Sequence, residues 1–140
     1  MTVTLDQART AIAATLEAGA KMGLKPLSAA VLDAGGHLIA FERQDGAAPG
    51  RYAIAQGKAY GAVMLGMPGS AQMARAEQQA YFMAAVNGVY GGQVVPVPGG
   101  ILIKEGDTVI GAIGVTGDTS DNDAEAGMAG LAAAGLSGAA

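Results

Sequence analysis

Apolar residues recur along the first half of the chain with two different periods. The first period is the three-to-four-residue spacing of an amphipathic helix, in which Thr4 and Gln7 form a predicted capping box. Two apolar runs, residues 27–33 and 37–43, then flank Gly35-Gly36, a pair that permits positive φ at both centres of a tight turn. The pattern therefore predicts a helix followed by a β-hairpin. The helical positions are Leu5, Ala8, Ile12 and Leu16.

The second half repeats this succession. Residues 52–64 have a helix-compatible composition, and the spacing after Ser70 predicts one amphipathic helix that ends near Val86. Residues 87–100 are rich in glycine and proline, which predicts an extended, ligand-facing loop. A second hairpin is expected from residues 101–104 and 108–116. A last helix is expected after a capping box of Ser120 and Asp123, with residues 135–140 fraying.

The order of these elements sets the fold class. Strands arrive as adjacent hairpins, not in β-α-β alternation, so the chain is predicted to be α+β and not a Rossmann fold. Four or five antiparallel strands would carry helices on at least one face. At 140 residues, we expect a single domain over residues 1–140.

Composition narrows the possible partners. The formal charge of -4 and the scattered basic residues argue against binding to nucleic acid. No cysteine is present, which excludes disulfides and thiolate metal sites. The N-terminus lacks the features of an export signal and no run is long enough to cross a membrane, so we expect a cytoplasmic protein with no membrane partner.

The hydrophobic fraction suggests self-association. Although 51% of the residues are hydrophobic, only 4% are aromatic, which predicts a thin, aliphatic core. Burial at a subunit interface would supplement such a core, and we therefore expect a homo-oligomer.

His37 is the only histidine and follows the first turn directly. Imidazole can serve as an axial ligand to haem iron or as a general acid/base near neutral pH, and it can equally be an ordinary exposed side chain. Strand alternation predicts that His37 and Arg43 share a face, roughly 20 Å apart at about 3.3 Å per residue. One small substrate could not contact both within a single chain.

Charged residues at the exit of the first hairpin are the other candidates. Arg43 offers a bidentate fork for a carboxylate, and Lys58 could add a second positive charge. Asp45 could move a proton, or it could simply form an ion pair with Arg43 that stiffens the loop. The N-terminus of the last helix could hold an anion, but its own acidic residues favour simple capping.

Two glycine motifs predict no nucleotide site. Residues 111–117 have the spacing G-x-x-G-x-x-G after a hairpin, which is not the dinucleotide-binding pattern. Gly57-Lys58 lacks the earlier glycine of a P-loop, because Tyr52 stands there. The glycines 111 and 114 are better explained by close approach of a helix or a subunit to a strand.

Four segments resemble the GlcG/HbpS family, which includes the C-terminal domain of PduO proteins. They cover nearly the whole chain in one order: VLDAGGHLIAFERQDGA at 31–47, AQGKA at 55–59, GDTVIGAIGVTG at 106–117, and the acidic residues 121–125. The resemblance implies a profilin-like α+β fold, symmetric oligomers and, in some members, haem binding linked to haem degradation or iron sensing. The chain departs from the family in having Ile101 after the glycine pair, where a proline is common, and in lacking the export signal of secreted members.

The resemblance also implies site residues. His37 matches the family's usual histidine after the Gly-Gly turn, Lys58 its helix lysine, and Gly99-Gly100 its glycine pair. The leading hypothesis is a small-molecule-binding protein whose ligand is haem or a related tetrapyrrole. Its pocket would lie between the exit of the first hairpin, the helix that contains Lys58, and the Pro98-Gly99-Gly100 loop. Arg43 and Lys58 would pair with ligand carboxylates.

Two rival functions remain open. A cofactor-independent isomerase, cyclase or lyase would act on a small carboxylate metabolite, with His37 or Asp45 moving a proton and Arg43 or Lys58 holding the substrate. A non-catalytic accessory subunit would use its glycine-rich surfaces for assembly alone.

Overall fold

The computed structural model describes all 140 residues as one five-stranded antiparallel sheet with helices on both faces. The strands lie across the sheet in the order β2-β1-β4-β3-β5. This arrangement confirms the predicted α+β class and its paired hairpins. The elements are α1 (Leu5–Lys21), β1 (Ser28–Asp33), β2 (Leu38–Arg43), α2 (Arg51–Leu65), α3 (Gly69–Gln78), α4 (Ala80–Val89), β3 (Gly100–Glu105), β4 (Thr108–Thr116), α5 (Ser120–Ala133) and β5 (Ser137–Ala139).

The first helix and the first hairpin form where the sequence places them. Thr4 and Gln7 make the reciprocal bonds of a capping box at the start of α1. The β1–β2 turn differs from the prediction, since Gly36 has positive φ (85°) and Gly35 does not. Gly36 N–H donates to the Asp33 carbonyl, so a single left-handed residue is sufficient to reverse the chain.

The predicted alternation along β2 is wrong at one point. A bulge shifts the register between Val31 and Leu32, opposite the start of β2. Consequently Ile39 packs against the core beneath α1 and α5, whereas Phe41 makes an edge-to-face contact with Tyr52 of α2. The bulge adds one residue to β2, so the side chains that precede it in β2 point to the opposite face of the sheet from the one that strict alternation predicts.

The helical region after residue 69 is longer and more broken than predicted. Gln79 leaves the helical conformation (φ -139°, ψ 63°), which divides one expected helix into α3 and α4. The helix α4 then continues to Val89, so the expectation that residues 87–100 are entirely extended was wrong for its first turn. Gly91 and Gly92, both at positive φ, follow the end of this helix.

The C-terminal region is also more ordered than predicted. The side chain of Thr119, not Ser120, caps α5 by accepting from the Asn122 N–H. Residues 137–139 do not fray, because they pair with β3 as the short edge strand β5.

Close helix–strand approach, made possible by glycine, builds the core. One buried cluster lies between the sheet and the helices α1 and α5, and a smaller one lies between the sheet and α2. A side chain on Gly114 would overlap the carbonyl of Ala55, and one on Gly130 would overlap Thr15. The interpretation of Gly114 as a point of close backbone approach is therefore confirmed.

A methyl group at position 114 is expected to destabilise the fold strongly. Since Gly114→Ala pushes β4 away from the α2 backbone, we expect the free energy of unfolding to fall by about 2 kcal/mol or more. The control is Gly88→Ala on α4, where a new Cβ has open space and the change is expected to stabilise by up to about 1 kcal/mol. Urea denaturation of both variants gives the comparison, and equal midpoints would contradict it.

Candidate functional site

His37 lies on the exposed β1–β2 turn, held from behind by Asp33. Its Nδ1 is 3.3 Å from Oδ1 of Asp33, and 82% of its side chain is exposed. The same carboxylate oxygen accepts from the backbone N–H groups of Gly35 and His37, each at 2.9 Å. These hydrogen bonds hold the pKa of Asp33 below its usual value, and the bond from the His37 N–H has the largest effect. A carboxylate beside Nδ1 favours the proton on that nitrogen and leaves Nε2 free to face solvent as a ligand.

Apolar and aromatic groups surround the turn. Gly36 lies against the methyl group of Met64 and the ring of Tyr60, both on the C-terminal half of α2. Tyr60 in turn makes an edge-to-face pair with Tyr90, with ring centroids 5.9 Å apart. The neighbouring Leu38 is 45% exposed, although it is a large apolar residue. The turn that carries His37 therefore packs on apolar and aromatic side chains of α2.

Lys58 is buried and makes its hydrogen bonds inside the protein. Its Nζ donates to the Val115 carbonyl at 2.9 Å and to Oδ2 of Asp123 at 3.2 Å. Both side chains of the ion pair are almost inaccessible, at 3% and 1% exposure. Burial lowers the pKa of the Lys58 ammonium, the nearby Asp123 carboxylate opposes this, and the Arg51 guanidinium adds to the lowering. Lys58 thus has partners inside the protein and is closed to solvent.

The loop before β3 packs on Lys58. Gly99 has φ 110°, and a side chain there would reach the Lys58 ammonium. A side chain on Gly100 would overlap the Lys58 backbone carbonyl. Pro98 is buried beside Gly99, and its Cα lies close to Gly69 at the start of α3. The Pro98-Gly99-Gly100 segment therefore packs directly against the buried Lys58 and lines no cavity.

Arg43 and Asp45 line a different cavity, of about 520 Å³, at the exit of β2. Its apolar wall comes from α1 and the segment after it, through Leu16, Ala20, Leu24 and Pro26. Neither Arg43 nor Asp45 forms an ion pair, so the predicted stiffening pair between them is absent.

The predicted site residues therefore fall into three places. Lys58 and residues 98–100 meet in the interior, Arg43 and Asp45 share the cavity at the β2 exit, and His37 stands at the opposite end of β2. The single pocket expected between the hairpin exit, Lys58 and the glycine loop does not enclose these residues together.

Sequence reasoning missed three residues that matter to these places. Asp33 was part of the family-like segment but was given no role, although its spacing of four from His37 could have suggested the pairing. The sequence assigns Asp123 to the capping of the last helix and to the acidic segment 121–125, and gives no sign that it pairs with Lys58. Arg51 was not singled out, although it lies seven residues before Lys58 and so on the same face of α2. Its Nη1 donates to Oγ1 of Thr116 at 2.8 Å.

Comparison with known families gives the decisive result. A family model described as haem degrading protein HbpS-like matches residues 3–132. The chain belongs to this family. A crystal structure of HbpS is 30% identical to this HbpS-like chain. The match covers 94% of this chain and 89% of the HbpS chain, with a TM-score of 0.83.

Two further solved structures share the fold of this HbpS-like protein. A double mutant of Streptomyces reticuli HbpS, with two glutamates replaced by aspartate, is 31% identical over 94% of this chain and 86% of its own, with a TM-score of 0.81. A complex of PduOC with haem is 19% identical over 98% of each chain, with a TM-score of 0.86, and shows the fold alone. No functionally curated protein matches the chain. None of its helices is long and apolar enough to cross a membrane.

Removing one partner of the buried ion pair is expected to destabilise the HbpS-like fold. Lys58→Met leaves the Asp123 carboxylate buried without its partner, and we expect a loss of about 3–5 kcal/mol in the free energy of unfolding. The double variant Lys58→Met with Asp123→Leu removes both charges and should recover a large part of that loss. Chemical denaturation measures the free energy of unfolding of both variants. A double variant less stable than Lys58→Met would contradict the view that the two buried charges compensate each other.

Proposed function

We propose that this protein binds haem, with His37 as an axial ligand to the iron. The observation that carries the proposal is the pairing of Asp33 with Nδ1, which leaves Nε2 without a partner on an exposed side chain, at a turn held by hydrogen bonds to the same carboxylate. A carboxylate behind a metal-bound histidine orients the ring and raises its basicity. The family description and the haem complex of a protein with the same fold support the same ligand.

The residues near the turn fit a porphyrin. Leu38, Tyr60 and Met64 offer apolar and aromatic surface beside the imidazole. A single imidazole is sufficient for an iron whose other ligands come from a macrocycle. When bound, haem would supply the iron chemistry, and this chain would position it through His37 and the apolar surface. Lys58 would act on the fold and not on the ligand, since its ammonium is buried and bonded to Val115 and Asp123.

Hemin titration tests the role of His37. We expect a saturable Soret band for the wild type and a shifted band with weaker binding for His37→Ala, because the axial nitrogen is lost. Asp33→Asn keeps an acceptor for the turn N–H groups but loses the charge, and we expect affinity to fall roughly 10-fold to 100-fold. Asp107→Ala, an exposed residue in the β3–β4 turn, is the control. Unsaturable binding by the wild type would overturn the proposal, and identical spectra for the wild type and His37→Ala would remove His37 from it.

We further infer that the protein forms a homo-oligomer through α4. Only Met83 of this ten-residue apolar helix is buried, and Tyr81 and Val89 are 74% and 77% exposed. Such an uncharged, exposed helix face is typical of a protein–protein contact.

Light scattering after size exclusion tests the assembly. A lysine at position 89 would bring a charge into the proposed contact, so Val89→Lys is expected to shift the protein towards monomer. Lys104→Gln, on the strand β3, should leave the mass unchanged. A monomeric wild type would contradict the inference.

A further inference from the structure

The first turn of α2 carries a guanidinium with unused donors. Arg51 donates one hydrogen bond, to Thr116, and no carboxylate lies within 4.0 Å of it. Most of its five N–H donors therefore have no partner in the protein. The residue is partly exposed, and its charge is not neutralised as that of Lys58 is. A planar fork of this kind matches the oxygens of a carboxylate or a phosphate.

Backbone donors point the same way. Helix α2 has no capping side chain and no acidic residue in its first turn, unlike α1 and α5. The N–H groups of Tyr52 and Ala53 have no acceptor in the protein. The positive end of the helix dipole is therefore uncompensated over 15 residues of helix, and an anion there would satisfy both the dipole and the free N–H groups.

A buried hydroxyl without a partner lies beneath this turn. Ser28 is fully buried, and its Oγ makes no hydrogen bond. Ala29 packs in the cluster on the α1 and α5 side, so the preceding Ser28 faces α2. It pairs across the sheet with Arg43 on one side and with Thr116, the partner of Arg51, on the other. Side chains paired in this way stand about 5 Å apart at Cβ, so the hydroxyl lies next to the Arg51–Thr116 contact.

The charges nearby limit the size of the ligand. Arg43 is exposed and free of ion pairs, and it is flanked along the chain by Glu42 and, two residues on, by Asp45. These carboxylates would repel an extended polyanion. A single compact oxyanion would instead meet the Arg51 guanidinium and the free N–H groups of the helix.

We propose that the first turn of α2, with Arg51 and the buried Ser28 beneath it, binds one carboxylate or phosphate group of a small metabolite. This site is separate from the proposed haem site. Arg51 and Met64, which lies beside the His37 turn, are 13 positions apart on α2, about 20 Å at roughly 1.5 Å per residue. That separation exceeds the reach from a haem iron to its own propionates, so a haem on His37 would not fill the site within one chain.

Titration with simple anions tests the proposal by amide NMR at constant ionic strength, with inorganic phosphate in one arm and acetate in the other. We expect saturable shifts of the Tyr52 and Ala53 amide signals in at least one arm, and the arm that saturates identifies the group bound. Arg51→Gln should weaken the affinity about tenfold or more, because it removes a charge-assisted bond. Arg51→Lys keeps the charge but loses the planar fork, so its affinity for the anion should lie between those of the wild type and Arg51→Gln.

Two further variants complete the design. Ser28→Ala should weaken anion binding several-fold without lowering thermal stability, since the lost hydroxyl has no partner in the protein. Lys21→Gln, at an exposed side chain near the end of α1 that pairs with Glu17, is the matched loss of one positive charge and should leave the anion affinity unchanged. No saturable shift in either arm, equal shifts with added chloride, or full affinity in Arg51→Gln would each overturn the proposal. Hemin binding is measured separately, so the failure of one site is distinguishable from the failure of the other.

Discussion

The ion pair between Lys58 and Asp123 joins the two faces of the sheet. Lys58 comes from α2 on one face and Asp123 from α5 on the other, and the lysine also bonds to the central strand β4 at Val115. The side chain can pass because the adjoining strand begins with glycines and has no bulk at that point. Two desolvated charges are costly unless they are matched, so the pair forces one relative position of α2, β4 and α5. This constraint therefore fixes the position of the start of α2, and also that of the β1–β2 turn, which packs against the end of α2.

Glycine is the second condition for this architecture. The helix α2 approaches β4 so closely that Gly114 leaves no room for a methyl group, and α1 approaches α5 in the same way at Gly130. Few aromatic residues are needed in such a core, since backbone contact replaces side-chain volume. The close approach predicted at Gly114 and the thin aliphatic core are therefore two aspects of one packing solution.

The sequence predicts most of the fold, because its signals are local. Capping at Thr4, the turn at Gly36 and the apolar spacing of α1 each depend on neighbours within a few residues. Several errors fall where distant contacts decide. The pairing of residues 137–139 with β3 depends on a strand far away in the chain, whereas the bulge in the β1–β2 hairpin is a local departure that the alternation of side chains does not reveal. Likewise the burial of Lys58 could not be predicted, because its partner lies 65 residues further on and resembled an ordinary capping residue.

The two edges of the sheet show how an antiparallel sheet of this kind avoids growing by the addition of further strands. One edge is β5, which is only three residues long and offers few free backbone groups to a newcomer. The other edge is β2, where the bulge distorts the ladder and Glu42 and Arg43 place opposite charges at the exposed end. An approaching strand would have to desolvate these charges. Arg43, considered above as a ligand contact, therefore also helps Glu42 to protect the protein against edge-to-edge aggregation.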